Sequence, residues 1–310
     1  MKEGPKTSWN FLNDQQLVVS NNYMDSNAQG NLIDGCLIKK TLKIREPFSH
    51  KGDYGHACIV AGSYGMMGAA VLSAKASLRS GVGKLTCCIP KIGYEIMQTS
   101  VPEAMVKVGG KKYNKTVDDV NNFDVLGIGP GIGIYRSHEF LLQKLFSEYK
   151  KPIVIDADAL NVISANKKLL KAIPAESILT PHPKEFERLF GKRETDIERT
   201  KLALQMSQQY NIFIVLKGHH SLIATPGGEA WFNTTGNAGM ATGGSGDVLT
   251  GILTGLLAQK YSSIEACLLG VYIHGLAGDI AADKLSQNAL IAGDIIDNLG
   301  NAFKHLLIHD

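Results

Sequence analysis

Short apolar runs that alternate with stretches of helical periodicity constrain this chain more than any other feature. Ala57–Ala61, Lys84–Ile89, Phe123–Ile128, Pro152–Ile155, Ser177–Leu179 and Ile212–Leu216 are mostly rich in Val and Ile and too short to be helices. Such runs read as buried strands of a parallel sheet. Between and after them, Gly68–Ser80, Ser137–Tyr149, Glu194–Tyr210 and Asp247–Ala258 carry the spacing of helices. Strand–helix alternation predicts βαβ units and an α/β fold with helices on both faces of a mostly parallel sheet. Ser221–Ala224 and Glu229–Phe232, joined through Pro226-Gly227-Gly228, predict a hairpin near one sheet edge, and residues from Asp247 to Phe303 are mostly helical. Residues 1–45 are polar and weakly periodic, so they are expected to form an N-terminal arm, a linker or the remnant of a preceding domain. Residues 46–310 are then one catalytic domain.

Composition narrows the function classes. The net charge of +3 is spread over scattered lysine pairs, which is too mild for a nucleic-acid-binding surface. Five cysteines, an odd count without a Cys-x-x-Cys pair, fit reduced thiols in a reducing compartment. The N-terminus lacks the apolar core of a signal peptide, and no run of about 18 apolar residues is present to span a bilayer. The expectation is a cytoplasmic protein without a membrane partner.

In open α/β sheets, ligands bind in the crevice beyond the carboxyl ends of the strands. The glycines cluster in those loops. The longest cluster, Asn233 to Gly251, contains Gly243-Gly244-Ser245-Gly246-Asp247 and runs into Val248, Leu249, Ile252, Leu253, Leu256 and Leu257 at helical spacing. Asp247 therefore belongs in the first turn of a helix, beside free N–H groups that make an anion site. A carboxylate there is expected to stay ionised and to accept a proton from a substrate hydroxyl. The alternative, a glycine turn whose Asp only stabilises the helix start, is disfavoured by the length of the surrounding Gly, Thr and Asn loop.

Other nucleotide signatures are absent. There is no Gly-x-x-x-x-Gly-Lys-Ser/Thr, and in Gly127–Gly133 the isoleucines Ile132 and Ile134 break the Gly-x-Gly-x-x-Gly spacing. This loop either presses its backbone against a phosphate or ribose, or is a tight strand-to-helix turn. The carboxylates of Asp156-Ala157-Asp158 either bind magnesium through water, hold a substrate amide or cap the next helix. His182, locked between Pro181 and Pro183, suits a stiff contact to substrate. Lys217-Gly218-His219-His220-Ser221 suits a nucleotide's ribose and phosphates. A metal site at His219-His220 is rejected, because neighbouring side chains on an extended chain point apart and no third ligand is evident.

Ser49–Gly55, Ala61–Ala70, Arg79–Lys84, Gly127–Gly133, Asp156–Leu160, Leu179–Phe186, Val215–Gly218 and Asn237–Gly251 occur in an order that resembles the NAD(P)H-hydrate dehydratase family, a ribokinase-like branch. The resemblance implies a three-layer ribokinase-like fold and repair of NADH and NADPH hydrated on the nicotinamide ring. It implies phosphorylation of the added hydroxyl from ADP or ATP with Mg2+, ADP being favoured, followed by elimination of phosphate. By position, Asp247 is the base and Gly243, Gly244 and Gly246 form the anion hole. Ala69, Gly131 and His182 contact the hydrated dinucleotide, and Lys217 to Ser221, with Gly246, hold the phosphoryl donor. A homotetramer is implied as well.

Three departures accompany the resemblance. Lys184 stands where the family often has glycine, Ser221 where it often has threonine, and residues 1–45 are too short for the epimerase domain that precedes some members. Two rival readings remain: a vitamin-precursor kinase of the same superfamily, and a nucleotide-binding module without catalysis. His50-Lys51-Gly52, the Ala69 loop and Pro181-His182-Pro183 favour the dehydratase over the kinase, and Asp247 argues against the module.

Overall fold

The computed structural model describes residues 30–308. Residues 1–29 of the expected arm lie outside the described residues. A ten-stranded sheet runs in the order β1-β10-β9-β8-β7-β6-β5-β2-β3-β4. The strands are β1 (Gly30–Ile33), β2 (His56–Val60), β3 (Lys84–Pro90), β4 (Met105–Gly110) and β5 (Val125–Ile128), then β6 (Ile153–Ile155), β7 (Ile178–Leu179), β8 (Phe213–Leu216), β9 (Leu222–Ala224) and β10 (Ala230–Asn233). Among the described strands only β9 runs antiparallel to its neighbours. The predicted strands all form, with ends shifted by a residue or two, and the Pro226-Gly227-Gly228 hairpin joins β9 to β10.

Period-two alternation explains the two cores. Ile153 and Ile155 face one side of the sheet and Val154 the other, and all three are fully buried. On the first side pack helices α4 (Arg136–Glu148), α5 (Ala157–Ala165), α6 (Pro183–Phe190) and α7 (Asp196–Tyr210). On the second pack α2 (Met67–Arg79), α8 (Ser245–Ala258), α9 (Ser263–Leu285) and α10 (Ala292–Ile308), while α3 (Tyr94–Ser100) lies beside β4. Helix α8 lies against α2 with almost no spacing: a Cβ on Gly251 would come 2.2 Å from the Ser73 carbonyl oxygen. Helix α9 is, by length and composition, able to cross a membrane, contrary to the expectation that no segment is. Its apolar window is 67% buried inside the fold, as a core helix is.

The boundary at residue 45 also differs from the structure. Gly30–Ile33 pairs with β10, and α1 (Gly35–Thr41), capped by the Asp34 carboxylate, packs on α9 and α10. Residues 30–41 therefore belong to the domain. The Ser49–Gly55 segment sits before β2, at the amino end of the sheet. There a Cβ on Gly55 would meet the carbonyl oxygen of Ala258, the last residue of α8, at 2.0 Å. It braces the far end of a helix about 20 Å long.

The chain runs outward from β2 through β3 and β4, then returns to place β5 on the other side of β2 and runs outward again. That reversal is the topological switch point where such sheets open a ligand crevice.

Candidate active site

The loops after β5, β6, β7 and β8 emerge at one end of the sheet because those strands are parallel. The first turn of α8 meets them there. Gly244 takes the N-cap position with φ 92°, a left-handed conformation that disfavours any side chain. Its own Cβ would also strike Leu72 of α2 at 2.5 Å. Asp247 is then the third residue of the helix, and the N–H groups of Gly246 and Asp247 find no acceptor among the described residues. Those free donors are available to an anion at the helix start.

A cavity of about 760 Å³ opens over this turn. One part of its wall is apolar, with Ala238, Met240, Val271 and Gly275; another carries Lys217, Gly246 and Asp247. Gly218, His219, Ser221 and His182 also line it, so most of the predicted residues come together. His220 does not: its ring turns to the Asn233 carbonyl, 3.3 Å away. The two imidazoles are not splayed as expected but lie edge to face, centroids 4.4 Å apart.

Ala69 and Gly131 are absent from the cavity wall. They touch each other at the switch point, where a Cβ on Gly131 would lie 3.0 Å from the Ala69 Cβ. Ala69 lies one helical turn before Leu72, the residue that abuts Gly244. The Gly127–Gly133 loop is a tight turn packed on protein. Gly129, at φ 132°, backs onto the Asp156 carbonyl at 1.8 Å from its would-be Cβ, and the Gly133 N–H donates to Asp158 Oδ2 at 2.8 Å.

Asp247 departs from expectation in its ionisation. Burial, the largest cause, and the nearby Asp156 and Asp158 charges push its carboxyl up to about 7, with Lys217 opposing. The helix terminus does not keep it ionised at all pH values. No donor among the described residues hydrogen-bonds its carboxylate, so it is not tied into the scaffold. A base that titrates near neutrality suits proton abstraction better than an ordinary aspartate.

Asp156, 1% exposed, takes the N-cap position of α5 without a side-chain bond to that helix, and the protein holds both of its carboxylate oxygens. Its Oδ1 accepts from Lys217 Nζ at 2.8 Å and its Oδ2 from the Thr250 hydroxyl at 2.8 Å. His182 caps α6: its Nδ1 accepts the N–H groups of Lys184 and Glu185 at 3.1 and 3.4 Å, and Glu185 Oε2 returns a bond to the His182 N–H at 2.8 Å. Accepting at Nδ1 places the proton of the neutral ring on Nε2. Desolvation and the Lys217 charge lower the His182 pKa and keep the ring neutral. Lys184 is exposed at the second helical position, and its charge is among those that lower the His182 pKa.

Three polar groups on α9 were not singled out from sequence. His274 Nε2 donates to the Ser245 carbonyl at 3.0 Å, and burial drives this ring down to about 4, so it is neutral. Asp279 accepts from the Gly236 N–H and the Asn237 side chain, both at 2.9 Å. The Tyr272 carbonyl accepts from the Thr235 hydroxyl at 2.9 Å. Together they pin the Asn233–Asp247 loop. Their only sequence signal is polarity inside an apolar helix.

Comparison with known proteins gives consistent matches. Residues 57–300 match a family model described as NAD(P)H-hydrate dehydratase. The bifunctional NAD(P)H-hydrate repair enzyme Nnr of Moorella thermoacetica is 37% identical over 286 residues, covering 89% of this chain and 54% of that protein. The chain thus spans about half the length of such curated relatives. The crystal structure of the ADP/ATP-dependent NAD(P)H-hydrate dehydratase of Bacillus subtilis, co-crystallised with ATP/Mg2+, is 31% identical with TM-score 0.80 and covers 91% of this chain and 100% of that one. Ribokinase of Arabidopsis thaliana, at 12% identity, TM-score 0.52, and coverage of 79% and 98%, shares the fold alone.

Proposed function

The chain belongs to the NAD(P)H-hydrate dehydratase family, and from that premise we propose that it restores hydrated NADH and NADPH at the expense of ADP or ATP. The observation that carries this is the untied Asp247 carboxyl on the wall of a cavity, one residue from the free N–H of Gly246. The apolar wall suits a purine; Lys217 to Ser221 and the α8 terminus suit phosphates.

Asp247 takes the proton of the added ring hydroxyl as the hydroxyl oxygen attacks the terminal phosphorus, whose bond to the bridging oxygen breaks and releases AMP from ADP or ADP from ATP. Free N–H groups of the Gly243–Gly246 turn take up charge on the phosphoryl oxygens, the largest contribution a preorganised site makes. The C–O bond then breaks with phosphate as leaving group, and the departing phosphate takes a proton from the adjacent ring carbon, regenerating the double bond. Ala69, Gly131 and the His182 Nε2–H are assigned to the hydrated dinucleotide. No cluster of metal-ligating side chains occurs among the described residues, which fits magnesium, an ion that keeps water and phosphate ligands. The nucleotide phosphates and water would hold it, and it would neutralise phosphate charge.

A homo-oligomer, expected as a tetramer, is carried by the family resemblance. Cytoplasmic placement is supported by five unpaired cysteines.

The test is to supply hydrated NADH, Mg2+ and either nucleotide, then follow free phosphate and nicotinamide absorbance. Dehydration releases phosphate and restores absorbance together. A stable phosphorylated alcohol in place of free phosphate would indicate a kinase, and tight nucleotide binding without turnover a binding module.

A further inference from the structure

The floor of the cavity holds a polar cluster of which the reaction as described uses only Lys217. Asp156 at the end of β6, Lys217 at the end of β8 and Thr250 in α8 meet through two hydrogen bonds of 2.8 Å. Thr250 is fully buried and lies three residues, about one helical turn, after Asp247, so it shares the inner side of the same helix. The third glycine of the turn makes room for this cluster: a Cβ on Gly246 would lie 3.2 Å from Lys217 Nζ and 3.6 Å from Asp156 Oδ2. An isolated buried carboxylate is costly, and one with both oxygens paired becomes a rigid joint.

We propose that Asp156 is a positioning residue of this enzyme, whose buried carboxylate joins β6, β8 and the first turns of α8 and thereby fixes both the aim of Lys217 and the setting of Asp247. This rests on Asp247 being the base of the proposed reaction. The tie works mechanically through Thr250 and electrostatically across the cavity floor. The titratable groups that share the cavity with Asp247 or act on its charge are Asp156 and Asp158 at the start of α5, Lys217 and His219 after β8, His182 and Glu185 at the start of α6, and His274 on α9. Of the charged ones, Asp156 opposes ionisation of Asp247 most, and Lys217 favours it. Asp156 also holds the Lys217 ammonium at 2.8 Å. Removing the Asp156 charge therefore acts twice in one direction, by deleting a repulsion and by freeing Lys217 to attract Asp247.

The experiment is an infrared titration of the Asp247 carboxyl in the ligand-free protein, taken as the difference from Asp247→Asn, with and without Asp156→Asn. Asp156→Asn, which keeps the shape of the side chain, is expected to move the titration about one pH unit or more toward acid. An unmoved titration in a variant with native circular dichroism overturns the electrostatic half. Should Asp156→Asn fail to fold, the double variant Asp156→Asn/Lys217→Met replaces the whole pair, which folds tolerate better than a broken one. It is expected to shift in the same direction by less, and no shift overturns the proposal. Thr250→Val keeps every charge but cuts the tie; kcat is expected to fall about tenfold with the nucleotide KM unchanged, a transition-state loss. Wild-type kcat in Thr250→Val overturns the mechanical half. The infrared titration needs no substrate, so a failure of the dehydratase reading would appear in turnover alone.

Discussion

Gly246→Ala separates the chemistry of the helix start from its stability. The residue is helical and does not have a positive φ, so alanine fits its backbone. The substitution is expected to gain about 0.4–1 kcal/mol by reducing the freedom of the unfolded chain. Its methyl would sit 3.2 Å from Lys217 Nζ, closer than ordinary contact. The ammonium must yield, yet it is bound at 2.8 Å to a carboxylate that is 1% exposed. The flexible lysine can pivot and keep its bond to Asp156, so what is given up is a share of the charged hydrogen bond, about 1.5–3 kcal/mol, that its ammonium makes to a phosphate. A loss of about 1–2 kcal/mol at the phosphate end corresponds to a Kd for ADP or ATP raised about 5- to 30-fold. Calorimetric titration with each nucleotide and Mg2+ gives the Kd, and a thermal melt gives the stability. Weaker binding at an equal or higher Tm is expected. An unchanged Kd would refute the reasoning that Lys217 and the Gly246 turn share the phosphate site, and a Tm that falls in step with binding would mark a folding defect.

Other substitutions test other joints. Gly251→Ala raises helix propensity but drives a methyl to 2.2 Å from the Ser73 carbonyl, so Tm should fall by several degrees; an unchanged Tm would show that α2 and α8 can separate freely. His182→Asn preserves an N-cap acceptor and should keep Tm while weakening the hydrated dinucleotide, whereas His182→Ala should also cost about 1 kcal/mol of stability by denaturant melt. Because Asp247 titrates at about 7, kcat/KM should fall tenfold per pH unit below that value and level off above it; a flat profile from pH about 5 to 8 would exclude Asp247 as base. The same raised pKa means that the stability associated with Asp247 is full below its unfolded value and is lost as pH rises through about 7. Asp247→Asn should therefore melt like the parent at pH about 4 and higher than the parent at pH about 8, by scanning calorimetry.

Sequence reading succeeded where information is local. Val- and Ile-rich runs buried on both faces leave few alternatives to a parallel strand, and Pro226-Gly227-Gly228 between two such runs leaves few alternatives to a hairpin. Gly244 and Asp247 were legible because a helix start is a local event. The edge strand Met105–Gly110 was not, because its residues are largely exposed and lack a buried pattern. Gly30–Thr41 was missed because a polar neighbourhood hid a short strand that gains its partner only from β10. The ionisation of Asp247 depends on burial and on Asp156, a residue far away in the chain, so no local pattern reveals it. Asp156 likewise reads as a ligand or a cap until Lys217 and Thr250 are seen to occupy it.

Asp247→Asn, assayed with hydrated NADH, Mg2+ and nucleotide, tests the central assignment most directly. Turnover, read as recovered nicotinamide absorbance, is expected to fall by several orders of magnitude, while the calorimetric Kd for nucleotide stays within about tenfold. Turnover within tenfold of the parent would show that another group removes the proton, and the assignment of Asp247 would be wrong.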